Sequence, residues 1–257
     1  MQHIIPVDLD RFPEGFHSEV LTLKTGISDS MVLFSRVPPG HHGPKLHTHA
    51  VDQVYYTVSG SMKVQLGTDV YTVTPGTTVL IPAGTPHCNW NDGDEDELHL
   101  ELFSPFPGTD PAVIVRPAEP RHVPGAEKLV RKISDEGFLD ISPGFKLHPL
   151  VQRDTGSKEA RLYYAELAPA SGGPELHFHD FDQFYFVLNG SLEVQIGNKK
   201  MTAGPKSLVV LPAGTVHANF NPGPGNEQHI AIITPEPARG ERFDYGVEIV
   251  ADPHRNG

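Results

Sequence analysis

Four residues recur in this 257-residue chain at one fixed offset: His47, His49, Gln53 and His87, then His177, His179, Gln183 and His217, each 130 positions further on. The match extends without a gap from Pro39–Asn91 to Pro169–Asn221. Within it, Gly43-Pro44 meets Gly173-Pro174, Asp52 meets Asp182, Gly60-Ser61 meets Gly190-Ser191, and Pro82–Thr85 meets Pro212–Thr215. Solenoids and propellers repeat every ~20–50 residues. An offset of 130 is instead the size of a small domain, so the chain reads as one unit doubled.

Each unit reads as β-structure. Val54–Val58 and Phe184–Leu188 are short β-branched and aromatic runs ending in turns at Ser59-Gly60 and Asn189-Gly190. Ser61–Leu66 and Ser191–Ile196 then alternate polar and apolar residues with period two. Asn-Gly between two such runs is a hairpin signal. Thr77–Ile81 and Ser207–Leu211 are further strands, ended by Pro82 and Pro212, which cannot donate to a ladder. Glycine and proline together make 50 of 257 residues, too few for a disordered chain, so they punctuate turns.

Residues two apart on a strand share a face, so His47 and His49 point the same way, as do His177 and His179. Imidazole suits Fe, Mn, Co, Ni, Cu and Zn. With no thiolate in the set and open coordination positions expected, the residues argue against a closed structural zinc site. The eight residues His47, His49, Gln53, His87, His177, His179, Gln183 and His217 are therefore expected to hold two divalent transition metals, one per unit.

The pattern resembles the cupin superfamily. Its first motif is met by His47-x-His49-x3-Gln53-x6-Gly60 and by His177-x-His179-x3-Gln183-x6-Gly190. Its second is met by Gly76-x5-Pro82-x-Gly84-x2-His87-x3-Asn91 and by Pro212-x-Gly214-x2-His217-x3-Asn221, with Lys206 replacing the leading glycine. The resemblance implies an all-β fold of two tandem double-stranded β-helix (jelly-roll) barrels with a metal in each mouth. We expect an N-terminal barrel over 1–115, a Pro-rich connector with a short helix over 116–140, and a C-terminal barrel over 141–257. The helix is placed at Ala126–Ser134, stopped by Gly137.

Gln53 and Gln183 depart from the family, which usually carries glutamate there. An amide leaves the charge of a bound divalent ion uncompensated, which strengthens it as a Lewis acid and favours an anionic ligand. It also removes the carboxylate that quercetinase-like bicupins are thought to use as a base. The resemblance then points to cupin dioxygenases with neutral histidine ligands, and equally to the bicupin isomerase of bacilysin synthesis and the bicupin cyclases of polyketide pathways. The expected function is a metal-dependent dioxygenase cleaving a carbon–carbon bond of a small enolisable dicarbonyl or hydroxylated aromatic. The alternatives are a non-redox isomerase or cyclase, and a non-catalytic metal-binding bicupin.

Tyr55 and Tyr185 share parity with the ligands and are candidate catalytic groups lining the pockets. His42 has no counterpart in the second unit and is a candidate base near the first metal, which makes the first unit the expected catalytic one. Asn91 and Asn221 are expected to serve turns, and Cys88 to point away from the metal. The acidic run Asp92, Asp94, Glu95, Asp96, Glu97 reads as a solvated loop.

A net charge of −12 argues against nucleic acid and anionic membrane surfaces as partners. No apolar stretch approaches membrane-spanning length, and the N-terminus lacks a secretory pattern. With the single Cys88, these features give the expectation of a cytoplasmic protein. Its expected partners are a small-molecule substrate, joined by O2 in the dioxygenase case, and its expected assembly is a monomer or homodimer.

Overall fold

The computed structural model describes residues 2–23 and 25–249. Met1, Lys24 and residues 250–257, which the sequence assigns to the two barrels, lie outside the described residues. The fold is nearly all β, as expected. Each half is a two-sheet jelly-roll sandwich whose sheets stay open at their edges. In the first half, Asp52–Ser59 lies between Thr77–Ile81 and Glu97–Ser104, followed outward by Met31–Val37 and His17–Val20. The facing five-stranded sheet contains Met62–Leu66, His87–Trp90 and His47–Thr48. The second half repeats this with Asp182–Asn189, Ser207–Leu211 and Glu227–Thr234 in one sheet, and Leu192–Ile196, His217–Phe220 and His177–Phe178 in the other.

The strand Thr77–Ile81 is buried on both faces. Val79 and Ile81 pack inside their own sandwich against Tyr55, Met62, Val64 and Leu66. Leu80 packs the other way, into a cluster shared by both halves that includes Phe34, Val54, Leu100, Phe184, Val210 and Ile232. A strand between two apolar layers reads as an unbroken hydrophobic run, which is why the runs here do not alternate. The two large sheets thus pack face to face, with Phe34 and Phe186 stacked 5.3 Å apart at the seam.

The halves also exchange edge strands. Ile4–Pro6 precedes the first half but pairs with Ser207–Leu211 of the second, Ile4 opposite Val209. Val130–Lys132 precedes the second half but pairs with Thr77–Ile81 of the first, Val130 opposite Val79. The two registers are equivalent, because Val79 and Val209 stand 130 positions apart. Each exchanged strand covers an edge that would otherwise leave backbone groups unpaired.

The connector differs from the expectation of one short helix. Ala126–Leu129 is a single 3-10 turn, and the chain then runs straight into the strand Val130–Lys132. Gly137 ends a second 3-10 turn, Asp135–Gly137, rather than a helix. Apolar residues at 129, 130 and 133 fit one helical turn, but the open edge of Thr77–Ile81 offers backbone partners and favours the branched Val130. The one α-helix among the described residues is Pro111–Ile114, with Pro111 in its first turn and the Asp110 side chain accepting from the Ala112 amide at 3.0 Å. No helix among the described residues is long and apolar enough to cross a membrane.

Candidate metal centres

The fold brings the two histidine triads together, His47, His49 and His87 in one half and His177, His179 and His217 in the other. Within each triad the candidate ligand nitrogens lie within 4.8 Å of one another. His47 and His87 face each other directly across two strands, as do His177 and His217. In the strand His87–Trp90, His87 and Asn89 point inward while Cys88 and Trp90 point outward. Cys88 is therefore turned from the centre, as expected.

Hydrogen bonds fix which ring nitrogen is free. Nδ1 of His47 donates to the Lys45 carbonyl at 2.7 Å, that of His49 to Ile114 at 2.8 Å, and that of His87 to Thr85 at 2.9 Å. In the second half the acceptors are the Glu175, Phe243 and Thr215 carbonyls at 2.6, 2.9 and 2.9 Å. A carbonyl only accepts, so each Nδ1 carries the proton and each Nε2 presents a lone pair. Those lone pairs converge: His47 and His49 Nε2 lie 3.1 Å apart, and His177 and His179 Nε2 lie 3.2 Å apart. Buried Nε2 of His87 and Oε1 of Gln53 have no hydrogen-bond partner. Converging, unpaired acceptors are what a cation requires, so the residues present fit a metal.

Gln183 makes the fourth member clear. Its Oε1 lies 2.8 Å from His217 Nε2 and 3.1 Å from His179 Nε2, and it accepts from the Tyr185 hydroxyl at 3.0 Å. Gln53 Nε2 donates to Glu101 at 2.7 Å, which turns its oxygen away from that carboxylate.

Burial and the neighbouring imidazole of His49 push His47 down to about 4. Burial, with His177 and His179 beside it, pushes His217 down to about 3. Burial likewise lowers His49, His87 and His177. His99 moves oppositely. Burial alone would lower it, but the Glu97 charge and the hydrogen bond to Glu101 outweigh burial and hold it up to about 10.

The pH dependence of the metal-free protein follows. The five depressed histidines bind a proton in the unfolded chain before the folded one, so stability falls as pH drops below about 6.5. His99 stays protonated longer when folded, so its contribution is complete below about 6.5 and is lost as pH rises towards 10. Thermal melts of metal-stripped protein between pH 4 and 9 should peak near about pH 6.5; a monotonic profile contradicts these assignments.

Each centre opens on a cavity, of about 480 Å³ in the first half and about 440 Å³ in the second. The first is walled by Phe16, Val20, Met31, Leu33, Phe103 and Ile114, the second by Leu139, Ile141, Phe145, Leu147, Ile233 and Phe243. Tyr55 and Tyr185 line these cavities. His42 does not: it is exposed, pairs with Trp90 and stacks on that ring at 6.2 Å, on the outward side of the strand. Its place beside an outward-facing residue is what separates it from the metal.

Asn91 serves its turn, donating to the Val37 and Glu95 carbonyls and accepting from the Gly93 amide. Asn89 lines the first cavity, and a Cβ at Gly43 would collide with its Oδ1. Glu97, counted with the solvated acidic run, is instead fully buried and accepts from His99 Nδ1 at 2.7 Å. Glu101, absent from any sequence motif, is buried in the wall of the first cavity. It accepts from Ser35, from Gln53 and from His99 Nε2. Its 130-shifted position is Ala231, and that of Ser35 is Ala165. The mismatch is visible in the repeat, but its position against the ligands is not.

A family model described as the cupin domain matches residues 33–103 and again residues 163–232. An uncharacterized protein of Streptomyces coelicolor is 39% identical over 57 residues, which is 22% of this chain and 53% of that protein. The match thus spans about half the length of that relative. Among solved structures, the oxalate decarboxylase OxdC of Bacillus subtilis is similar with a TM-score of 0.71 at 14% identity, over 92% of this chain and 76% of that one. AerE of Microcystis aeruginosa is similar with a TM-score of 0.67 at 16% identity, over 91% of this chain and 97% of that one. At these identities the two structures speak to the fold. With more than half of its length matched by two successive copies of the domain, the chain belongs to the cupin family and is a bicupin with one histidine-rich metal-binding site in each half.

Proposed function

We propose that this bicupin is a metal-dependent enzyme acting on a small enolisable substrate, as a dioxygenase that cleaves a carbon–carbon bond of a dicarbonyl or a hydroxylated aromatic. The observation that carries this reading is the donor set: three neutral imidazoles and one neutral amide at the floor of a largely apolar cavity. A divalent transition metal held by His47, His49, His87 and Gln53, or by their counterparts, supplies Lewis acidity and, if redox-active, electron transfer to O2.

The chain's own residues do the rest. With no ligand carboxylate, the set favours a substrate that binds as an oxygen anion. The apolar walls keep water from that anion. The Tyr185 hydroxyl holds the Gln183 oxygen in place. Among the described residues, the first cavity has no Lys or Arg in its lining and carries Glu101, which disfavours a small dianion such as oxalate. In the second cavity Arg161 is already bonded, through Nε to Glu236 at 2.9 Å and through Nη1 to the Tyr163 hydroxyl at 3.3 Å.

An isomerase or polyketide-type cyclase would use the same enolate without O2. The buried Tyr185 hydroxyl favours that second reading, because it sets a proton donor against the Gln183 oxygen. Oxygen uptake separates the two. Protein loaded in turn with iron, manganese, nickel, cobalt or copper is offered diketones, flavonols and hydroxylated aromatics. Uptake of one O2 per substrate consumed supports the dioxygenase. No uptake with any metal rejects it in favour of the isomerase or cyclase.

A further inference from the structure

Behind each metal centre the chain repeats a second pair. Glu97 and His99 in the first half correspond to Glu227 and His229 in the second. Nδ1 of His99 donates to Glu97 at 2.7 Å, and Nδ1 of His229 donates to Glu227 at 2.9 Å. All four residues are buried. Each imidazole lies against the tyrosine of its centre, 4.9 Å from Tyr55 or from Tyr185 between ring centroids.

The pairs differ at Nε2. In the first half it donates to Glu101 at 3.2 Å, and Ser35 holds Glu101 from the other side. His99 thereby keeps its proton and has no free lone pair, and Glu101 rather than His99 lines the cavity. In the second half Ala231 and Ala165 stand at those positions. No described residue bonds Nε2 of His229, and His229 itself lines the cavity that holds His177, His179 and Gln183.

We propose that His229 is the acid–base catalyst of the C-terminal centre, with Glu227 as its positioning residue, and that it moves the proton of an enolisable carbonyl substrate bound in that cavity. This rests on the reading of the protein as an enzyme of enolisable substrates. Glu227 accepts the hydrogen bond from Nδ1–H, which keeps that proton on Nδ1 and leaves the Nε2 lone pair facing the cavity, the arrangement in which an imidazole accepts a proton. In the step, a substrate C–H bond next to the carbonyl breaks and its proton forms the Nε2–H bond of His229. The electron pair of that bond passes into the substrate, leaving an enolate. Return of the proton from Nε2 to a different carbon completes an isomerisation with no oxidant. Carbon–carbon cleavage instead consumes O2, which is reduced as both of its atoms enter the products. The first half has the same pair with its reactive nitrogen occupied. The C-terminal centre is then the catalytic one, the reverse of what the extra histidine in the first unit led us to expect.

Diethyl pyrocarbonate, which acylates unprotonated and accessible imidazole nitrogen, tests this on the metal-loaded full chain, with modification followed residue by residue by mass spectrometry. His229 should react at least about ten-fold faster than His99 at pH 7, because a histidine held protonated is unreactive. Ala231→Glu should slow His229 to the rate of His99. Equal rates for the two histidines in the unaltered chain, or no slowing in Ala231→Glu, overturn the proposal. On any substrate turned over, His229→Asn with unchanged metal content should lower kcat by about 10²–10⁴-fold with little change in KM. Glu227→Gln should lower it less. A normal kcat for His229→Asn overturns the catalytic role. If no substrate is turned over, the enzymatic reading fails separately, and the labelling still decides whether His229 presents a free base.

Discussion

His87→Ala is expected to remove one of two equivalents of bound divalent metal and leave the C-terminal centre loaded, and His217→Ala is expected to do the reverse. Both residues come from strands distant in sequence from the His-x-His pairs they complete, and both are buried. Without either, two imidazoles and a weakly donating amide remain. Loss of a partner that merely orients a ligand costs ~10–100-fold in metal affinity, so loss of a ligand itself should exceed about 100-fold. Elemental analysis of each variant after dialysis reads the result. Melting of the metal-stripped variants shows whether the fold survived, since alanine also leaves a cavity. Two full equivalents in a folded His87→Ala protein would remove His87 from the ligand set.

Phe34→Ala should be among the most destabilising single substitutions. The Phe34 ring is fully buried and stacks on Phe186 across the seam of the two halves. Truncating a buried phenylalanine costs about 3–5 kcal/mol. At roughly 2–4 °C per kcal/mol for a chain of this size, Tm should fall by about 6–20 °C. The loss should appear in one transition, because the shared cluster and the exchanged strands tie both halves into one cooperative unit. A shift below about 2 °C, far under the cost of an unrelaxed cavity, would mean that the seam is not packed as described. Two separate transitions would mean that the halves are energetically independent.

The sequence carried the centres further than their surroundings. His47, His49 and His87 were legible because a motif repeated at one offset ties residue types to a geometry. Thr77–Ile81 and Ser207–Leu211 were legible as strands to the residue, because prolines end them. The acceptors of His49 and His179, the carbonyls of Ile114 and Phe243, lie beyond the gapless repeat, and a backbone oxygen has no sequence signature. The exchange of Ile4–Pro6 and Val130–Lys132 is a choice among open sheet edges, and three residues carry no period that names one edge. Glu97 read as solvent-facing because it ends an acidic run, yet the first pleat of a strand turns it inward to His99. His42 was misplaced for the converse reason: nearness in sequence to His47 says nothing about which side of the neighbouring strand it joins.

Anomalous scattering from crystals of metal-loaded protein tests the central claim most directly. The account predicts two strong peaks per chain, one in each half, each about 2.0–2.1 Å from three imidazole Nε2 atoms, with the glutamine oxygen of Gln53 or Gln183 turned towards the peak. Peaks bound through Nδ1, peaks elsewhere in the chain, or empty triads under saturating metal would contradict it.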